Sequence, residues 1–199
     1  MLNCPKAAII LISFIGLTLG CIGSSTAYVD GPPLSTAGGF GTNTCQECHF
    51  ENALNDDVGS LQLGGIPNLY VPGQQYAITV ALNRPDIGRG GFQLAVRFSD
   101  GYNKGFQAGL LESFNDRTEI VTDADSLIQY AQQTDQGSLV EATGFSRWKI
   151  RWTAPKEKSQ SVTFNVAANA SNNDQSELGD FIYTNETIVF PQLINSQTN

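Results

Sequence analysis

The stretch FSRWKIRW, residues 145–152, carries the clearest fold signal in the chain. An apolar set and a basic set of side chains alternate along it: Trp148, Ile150 and Trp152 against Arg147, Lys149 and Arg151. Because successive side chains of an extended strand point to opposite faces, this alternation predicts a β-strand. The aromatic face is expected in a core. The basic face is expected in solvent, as a strand surface rather than an anion site.

Three further segments alternate in the same way, and a fourth is rich in β-branched and aromatic residues: YAITVAL (76–82), GFQLAVRF (91–98), SVTFNVAA (161–168) and FIYTNETIVF (181–190). Turns rich in Gly, Pro, Asn and Asp separate them. One apolar face and one polar face, repeated over many short strands, predicts antiparallel sheets packed face to face. We therefore predict an all-β fold, an immunoglobulin-like antiparallel β-sandwich.

Two details of that prediction concern the middle of the chain. In GFQLAVRF the core face is expected to carry Phe92 and its alternating partners, with Gln93, Ala95 and Arg97 on the opposite, polar face. The stretch DADSLIQYAQQTD, residues 123–135, fits a helix or a strand with a turn, and we favour strand and loop.

Length and charge restrict the function classes. The chain has 199 residues, enough for one domain with a substantial core, and a formal net charge of −8. Nucleic-acid binding needs a basic surface, so we expect no nucleic-acid partner. An acidic surface instead favours a basic protein partner.

The N-terminus predicts export. Lys6 precedes the apolar run 7–20, which is short for a membrane span, and a small-x-Ala site predicts a signal peptide over residues 1–27, cut after Ala27. A rival site resembles a lipobox with its cut before Cys21, which would then carry a lipid anchor. We expect a periplasmic or secreted protein without a transmembrane segment, because no second long apolar run follows.

These signals divide the chain into four segments. The signal peptide is followed by an extended lead over residues 28–60, which is rich in Gly, Pro, Ser and Thr. The sandwich is predicted over residues 61–191, and residues 192–199 form a polar tail. The lead contains the sequence CQECH, residues 45–49, within a loop or short helix.

CQECH is the C-x-x-C-H pattern of covalent haem attachment. Two thiols at this spacing reach the two vinyl groups of one porphyrin, and the next residue places an imidazole at the iron. The pattern predicts one covalently attached haem c per chain, held by Cys45 and Cys48, with His49 as axial ligand of the iron. In this sequence His49 is the only histidine. Cys4 is expected to leave with the signal peptide, and Cys21 either leaves with it or becomes lipidated.

Two other interpretations of the motif stay open. In an exported protein, Cys45 and Cys48 would also form a reasonable disulfide. A structural zinc site would need a fourth ligand and usually a second Cys or His pair, which the sequence does not supply.

Several short motifs resemble the reelin-type (Reeler) β-sandwich domain. They are YVPGQQY (70–76), GGFQL (90–94), WTAP (152–155) and VTFNVAANASNN (162–173). The likeness extends over about residues 35–190 and is strongest with a bacterial branch that carries a TAGG-like loop and C-x-x-C-H ahead of the sandwich. It implies an immunoglobulin-like sandwich outside the cytoplasm and a haem site at Cys45, Cys48 and His49. It implies little about the biochemical task.

The second axial position of such a haem has no ordinary candidate. The only methionine is Met1, and a second histidine does not exist in the sequence. The position would be open or filled by water, by a partner protein, by the N-terminal amine of Tyr28 after cleavage, or by a lysine. The lysine candidates are Lys104, Lys156 and Lys158. Three apolar residues near the motif could cover the porphyrin or, alternatively, pin the loop to the sandwich: Phe40, Phe50 and Leu54.

The leading functional hypothesis is an electron-transfer protein with a basic redox partner. An alternative is an adhesion or ligand-binding sandwich in which Cys45 and Cys48 form a disulfide. A third is a haem enzyme or gas sensor with an open iron position. The sequence shows no distal acid–base pair and no hydrolase constellation, so we expect an electron carrier or binding protein rather than an enzyme.

Overall fold

The computed structural model describes residues 31–156 and 160–192. The predicted signal peptide, Cys21, Tyr28 and Lys158 lie outside these ranges. Within them the chain forms ten strands and two single helical turns: a 3-10 turn (Cys45–Glu47), β1 (Ser60–Gly64), β2 (Leu69–Tyr70), β3 (Gln75–Asn83), β4 (Arg89–Phe98), β5 (Leu110–Ser113), β6 (Thr118–Thr122), β7 (Gln129–Gln133), α1 (Asp135–Ser138), β8 (Phe145–Thr153), β9 (Val162–Ser171) and β10 (Phe181–Pro191).

The strands form two sheets around one core, which confirms the predicted all-β sandwich. One sheet has the order β1-β3-β8-β5 and the other β2-β10-β9-β4-β7-β6. Nearly every pairing is antiparallel, as predicted. The exception is the two-residue strand β2, which pairs in parallel with the end of β10 through Leu69 and Tyr70. The sandwich is therefore mixed at that edge.

The aromatic face of β8 lies in the core, as the alternation predicted. Trp148 and Trp152 are fully buried. Each indole N–H donates to a carbonyl, that of Trp148 to Gly137 at 2.9 Å and that of Trp152 to Ala108 at 3.0 Å. The basic face of the same strand remains partly or fully exposed.

Gln93, Ala95 and Arg97 share the face of β4 opposite Phe92, as predicted, but this face is buried because the lead covers it. Gln93, Ala95 and Arg97 are as buried as the core-facing residues of the strand. Gln93 accepts a hydrogen bond from the Thr36 N–H at 2.8 Å and donates to a carbonyl of the lead at 3.1 Å. Arg97 donates to the Gly38 carbonyl at 2.6 Å. Backbone groups of the lead thus form hydrogen bonds with these buried polar side chains, which would destabilise the fold if they were left unpaired.

Residues 123–135 form a loop followed by β7, which confirms the preference for strand and loop over helix. The helical turn α1 begins only at Asp135 and has four residues. Thr134 caps it by accepting a hydrogen bond from the Gly137 N–H at 3.1 Å.

A buried arginine joins the segment after the motif to the sandwich. Arg84 is 5% exposed, and its guanidinium donates to both carboxylate oxygens of Asp56 at 2.8 Å and to the Tyr183 hydroxyl at 2.7 Å. The same group lies 3.2 Å from the centroid of the Phe181 ring. The Tyr183 hydroxyl also donates to Asp56. Burial alone would raise the pKa of Asp56, but the hydrogen bonds from Tyr183 and Arg84 outweigh it and lower that pKa.

We expect this cluster to make stability depend on acid. A carboxyl with a lowered folded-state pKa stabilises the fold above the unfolded value of ~3.9, and the contribution is lost as pH falls through the folded value. Asp56→Asn should cost about 1–3 kcal/mol at neutral pH, since a charged hydrogen-bond acceptor is lost. Below about pH 4 the difference from the wild type should shrink. Urea unfolding across this range measures it, with exposed Asp57→Asn as control. The prediction would be contradicted if the free energies of unfolding of wild type and Asp56→Asn differed by the same amount at every pH.

Candidate functional site

The CQECH motif folds into one tight turn. The Thr44 hydroxyl caps it by accepting from the Gln46 N–H at 3.3 Å. The Cys45 carbonyl then accepts from the N–H groups of Cys48 at 3.3 Å and His49 at 3.1 Å. This local winding brings the two thiols and the imidazole to one small region.

Arg97 of β4 contacts the glycine loop, residues 38–41, that precedes the motif. Gly38 and Gly39 adopt φ values of 78° and 73°, which side chains with a Cβ rarely adopt. A Cβ on Gly39 would also lie 2.3 Å from the Asn165 side chain. The Arg97 guanidinium lies 4.5 Å from the centroid of the Phe40 ring and donates to the Gly38 carbonyl. The loop therefore places the motif against the six-stranded sheet.

A cavity of about 470 Å³ lies between the motif and this sheet. Such a volume is typical of small-molecule and cofactor sites. Its walls are largely apolar. The motif side contributes Cys45, Cys48, His49 and Phe50, and the facing side includes Arg89, Gly90, Gly91, Gln133, Ser138, Asn169, Ser171 and Asp180. The turn therefore places Cys45, Cys48 and His49 in the wall of one partly open cavity.

The two cysteines occupy different environments. Cys45 is buried in a small cluster with Ala167 and Ile182, whereas Cys48 is exposed. Both are free thiols, so the structure does not contain the disulfide that the alternative interpretation requires. Burial raises the pKa of the Cys45 thiol to about 12. A free thiolate is the reactive form, so the folded chain suppresses the reactivity of Cys45.

Alkylation should reveal this difference. At pH 8 a thiol with a pKa of about 12 is ~10⁻⁴ thiolate, whereas an ordinary thiol with a pKa of ~8.5 is about a quarter ionised. We expect iodoacetamide to modify Cys45 ~10³-fold more slowly in the folded apoprotein than in urea. Peptide mass spectrometry reads Cys45 and Cys48 separately. Equal rates at Cys45 in the folded and unfolded chain would contradict the prediction.

The imidazole of His49 contacts a buried carboxylate. His49 Nδ1 lies 2.9 Å from Asp180 Oδ2, and the side chains are 21% and 1% exposed. Asp180 also accepts from Asn169 Nδ2 at 2.9 Å and from the Asn172 N–H at 3.1 Å. Burial alone would raise the pKa of Asp180, but these hydrogen bonds from His49, Asn169 and Asn172 outweigh it and lower that pKa.

Only one of the three predicted covering residues lines the cavity. Phe50 does so, whereas Phe40 packs against Arg97 and Leu54 does not reach the lining. Neither Lys104 nor Lys156 lines the cavity. Tyr28 and Lys158 lie outside the described residues and stay predictions.

Two cavity residues had no signal in the sequence. Asp180 is 131 positions from His49 and is brought to it by the start of β10. Arg89 begins β4 and donates to the Ser138 hydroxyl at 2.6 Å. Among the described residues, Arg89 is the one lysine or arginine in the cavity wall.

Over residues 31–156 and 160–192, His, Cys, Asp and Glu side chains form no group of three or more arranged to hold a metal ion. Within the same part of the chain, no helix has the length and apolar character needed to cross a membrane.

The structure defines an all-β sandwich with a thiol- and imidazole-lined cavity on one sheet. Solved structures with similar folds include the human F-spondin reeler domain, at 17% identity over 69% of this chain and 94% of that one, with a TM-score of 0.44. The Reelin-N domain of F-spondin matches at 15% identity over 74% and 97%, with a TM-score of 0.48. A cohesin module from a Clostridium perfringens family 33 glycoside hydrolase matches at 13% over 67% and 95%, with a TM-score of 0.43.

These similarities concern the fold alone, and no family membership follows from them. No protein-family model matches the chain, and no curated protein sequence does.

Proposed function

We propose that this chain is an exported c-type haem protein that transfers electrons in the periplasm or extracellular space. One observation carries the proposal: both cysteines of the motif and the only histidine of the sequence line one cavity of about 470 Å³. Cys45 and Cys48 would attach the haem through thioethers, and His49 would be the axial ligand. When bound, haem supplies a one-electron couple between ferric and ferrous iron.

The wall facing the motif suits a flat apolar group. Gly91 lies on β4 and lines the cavity, whereas a Cβ on its neighbour Gly90 would point into the core towards Ser146 and Trp148. Glycine allows a ligand to approach the backbone closely, because no side chain stands between them. A Cβ added to Gly91 would come within 3.4 Å of the Gln133 side chain, another wall residue. Side chains at this position would therefore narrow the space.

The polar end of the cavity suits the propionates of a haem. Among the described residues, Arg89 is the one cationic side chain in the cavity wall. Its ion pair with Asp135 is long, at 3.4 Å, and the Asp135 side chain is exposed. Arginine recognises carboxylates through charge-assisted hydrogen bonds. We assign Arg89 to a propionate, and Phe50 to the apolar cover that keeps water from the iron.

The remaining parts of the proposal rest on the sequence. The signal peptide predicts export, with cleavage after Ala27 or a lipid anchor at Cys21, and the charge of −8 favours a basic redox partner. The N-terminal amine of Tyr28 is one candidate for the second axial position. Extending that terminus by one residue should change the Soret spectrum if Tyr28 is the ligand. An unchanged spectrum would exclude it.

Co-expression with a periplasmic haem-attachment system tests the function. We expect the intact mass to increase by one haem and the dithionite-reduced protein to show a sharp α-band. A full-length chain with no added mass and no chromophore would overturn the proposal. Carbon monoxide then separates two kinds of haem protein: binding to the reduced form indicates an open position, and no binding indicates a six-coordinate carrier.

Filling the cavity provides a second test. In Gly91→Leu, haem should still attach through the thiols. The increase in Tm that haem gives the wild type should be lost, because the leucine side chain would fill the space proposed for the haem. Gly64→Leu is the matched control, since Gly64 lies on β1 away from the cavity and a Cβ there meets only Thr79 at 3.7 Å. Equal haem-dependent Tm gains in both variants would contradict the assignment of the cavity.

A further inference from the structure

We propose that Asp180 is a positioning residue for His49, which holds the ring with its proton on Nδ1 and leaves Nε2 as the electron-pair donor. The effect on a bound iron rests on the proposed haem function. The tautomer itself does not, because it concerns the protein without haem.

The contact is built from buried groups. Asp180 is 1% exposed and directly precedes β10, and its Oδ2 lies 2.9 Å from His49 Nδ1. The Asn172 N–H binds the other oxygen, Oδ1, at 3.1 Å. The carboxylate is therefore held from two sides and cannot turn away from the ring without breaking a second hydrogen bond.

The chemistry of the pair selects the tautomer. An ionised carboxylate only accepts hydrogen bonds, so His49 Nδ1 has to carry the proton. Nε2 is then unprotonated, which is the form that binds a metal. A carboxylate that accepts from the far nitrogen of a ligating histidine also raises the basicity of the ligand. A more basic imidazole donates more charge and favours ferric over ferrous iron.

Asn169 competes for the same oxygen. Its Nδ2 donates to Asp180 Oδ2 at 2.9 Å and lies 3.4 Å from each nitrogen of the His49 ring. Removing this donor should leave Asp180 freer to accept from His49. Changes at Asp180 and Asn169 are thus expected to act in opposite directions, which a merely structural role would not produce.

The first experiment uses the full chain without haem. His49 is the only histidine in the sequence, so every histidine ring signal in a ¹⁵N NMR spectrum belongs to it. At about pH 8 we expect the Nδ1–H tautomer to dominate, because Asp180 Oδ2 accepts from Nδ1 at 2.9 Å. Asp180→Asn should shift the population towards Nε2–H, which prevails in free histidine side chains. A dominant Nε2–H tautomer in the wild type would overturn the proposal.

The second experiment uses the haem-loaded chain. In Asp180→Asn we expect a lower iron–histidine stretching frequency in the ferrous protein by resonance Raman and a more positive reduction potential. Asn169→Leu should raise that frequency. Glu47→Gln is the control, because it removes an exposed carboxylate inside the motif without touching the His49–Asp180 hydrogen bond. Its stretching frequency should equal that of the wild type.

The outcomes separate the two proposals. A wild-type chain that acquires no haem overturns the proposed function, while the NMR result still decides the tautomer. Normal haem content with the same frequency in Asp180→Asn and the wild type overturns the role of Asp180 towards the iron. If Asp180→Asn does not fold, Asn169→Leu decides: a raised frequency supports the proposal, and an unchanged one overturns it.

Discussion

Replacing Cys45 and Cys48 together by alanine is expected to reduce covalent haem from one per chain to none. Each sulfur would form one thioether with a haem vinyl group, and the described residues offer no other thiol at the cavity. Each single variant keeps one thioether, so it should still gain the mass of one haem. Its reduced α-band should shift to longer wavelength, because one vinyl group remains conjugated with the porphyrin.

The double variant also provides the apoprotein for comparison. Cys45 packs only against Ala167 and Ile182 in its buried cluster, so its truncation should leave the sandwich folded, as circular dichroism can verify. A haem that survives denaturation and remains with the double variant would contradict the assignment of both cysteines. If only one of the two single variants loses haem, the sulfur that this variant lacks is the one that attaches the haem.

Trp152→Ala is expected to remove a large part of the stability of the domain. The side chain is fully buried, and its ring lies 4.9 Å from that of Phe164 and 5.7 Å from that of Tyr76. Truncating a buried tryptophan costs about 3–5 kcal/mol, against a total stability of about 5–15 kcal/mol for a domain. The change also leaves the Ala108 carbonyl without its indole donor.

Urea unfolding at neutral pH measures this effect. Tyr102→Ala is the matched control, because that aromatic side chain is 96% exposed, and it should change the free energy of unfolding by less than ~0.5 kcal/mol. A cost for Trp152→Ala close to that of the control would show that the aromatic face of β8 is not the centre of the core.

The sequence alone predicted those features of the fold that depend on neighbouring residues in a strand. Alternation placed Trp148 and Trp152 in the core correctly, since period two is a local property. It could not predict that Gln93 and Arg97 are buried, because their burial depends on a segment 59 to 60 positions earlier. The parallel strand β2 was also invisible, since two residues show no periodicity.

The candidate site divides in the same way. Cys45, Cys48 and His49 are adjacent in sequence and were recognised by spacing. Asp180 and Arg89 come to the cavity only when the sheet forms, and an isolated Asp or Arg carries no pattern. Phe40 packs on Arg97 and does not line the cavity, since proximity in the sequence does not determine which side of a glycine loop faces the cavity.

The seating of the lead on β4 has a consequence for the order of assembly. Side chains of Gln93 and Arg97 hold residues 33–39, whereas the ladders of β4 with β7 and β9 contain no residue of the lead. Segments with few ladder hydrogen bonds open at lower free energy than core strands. Amide hydrogen exchange should therefore protect β4 and β9 longest and the lead least. The CQECH turn would be the last element to dock, and it would stay within reach of an attachment enzyme while the sandwich forms.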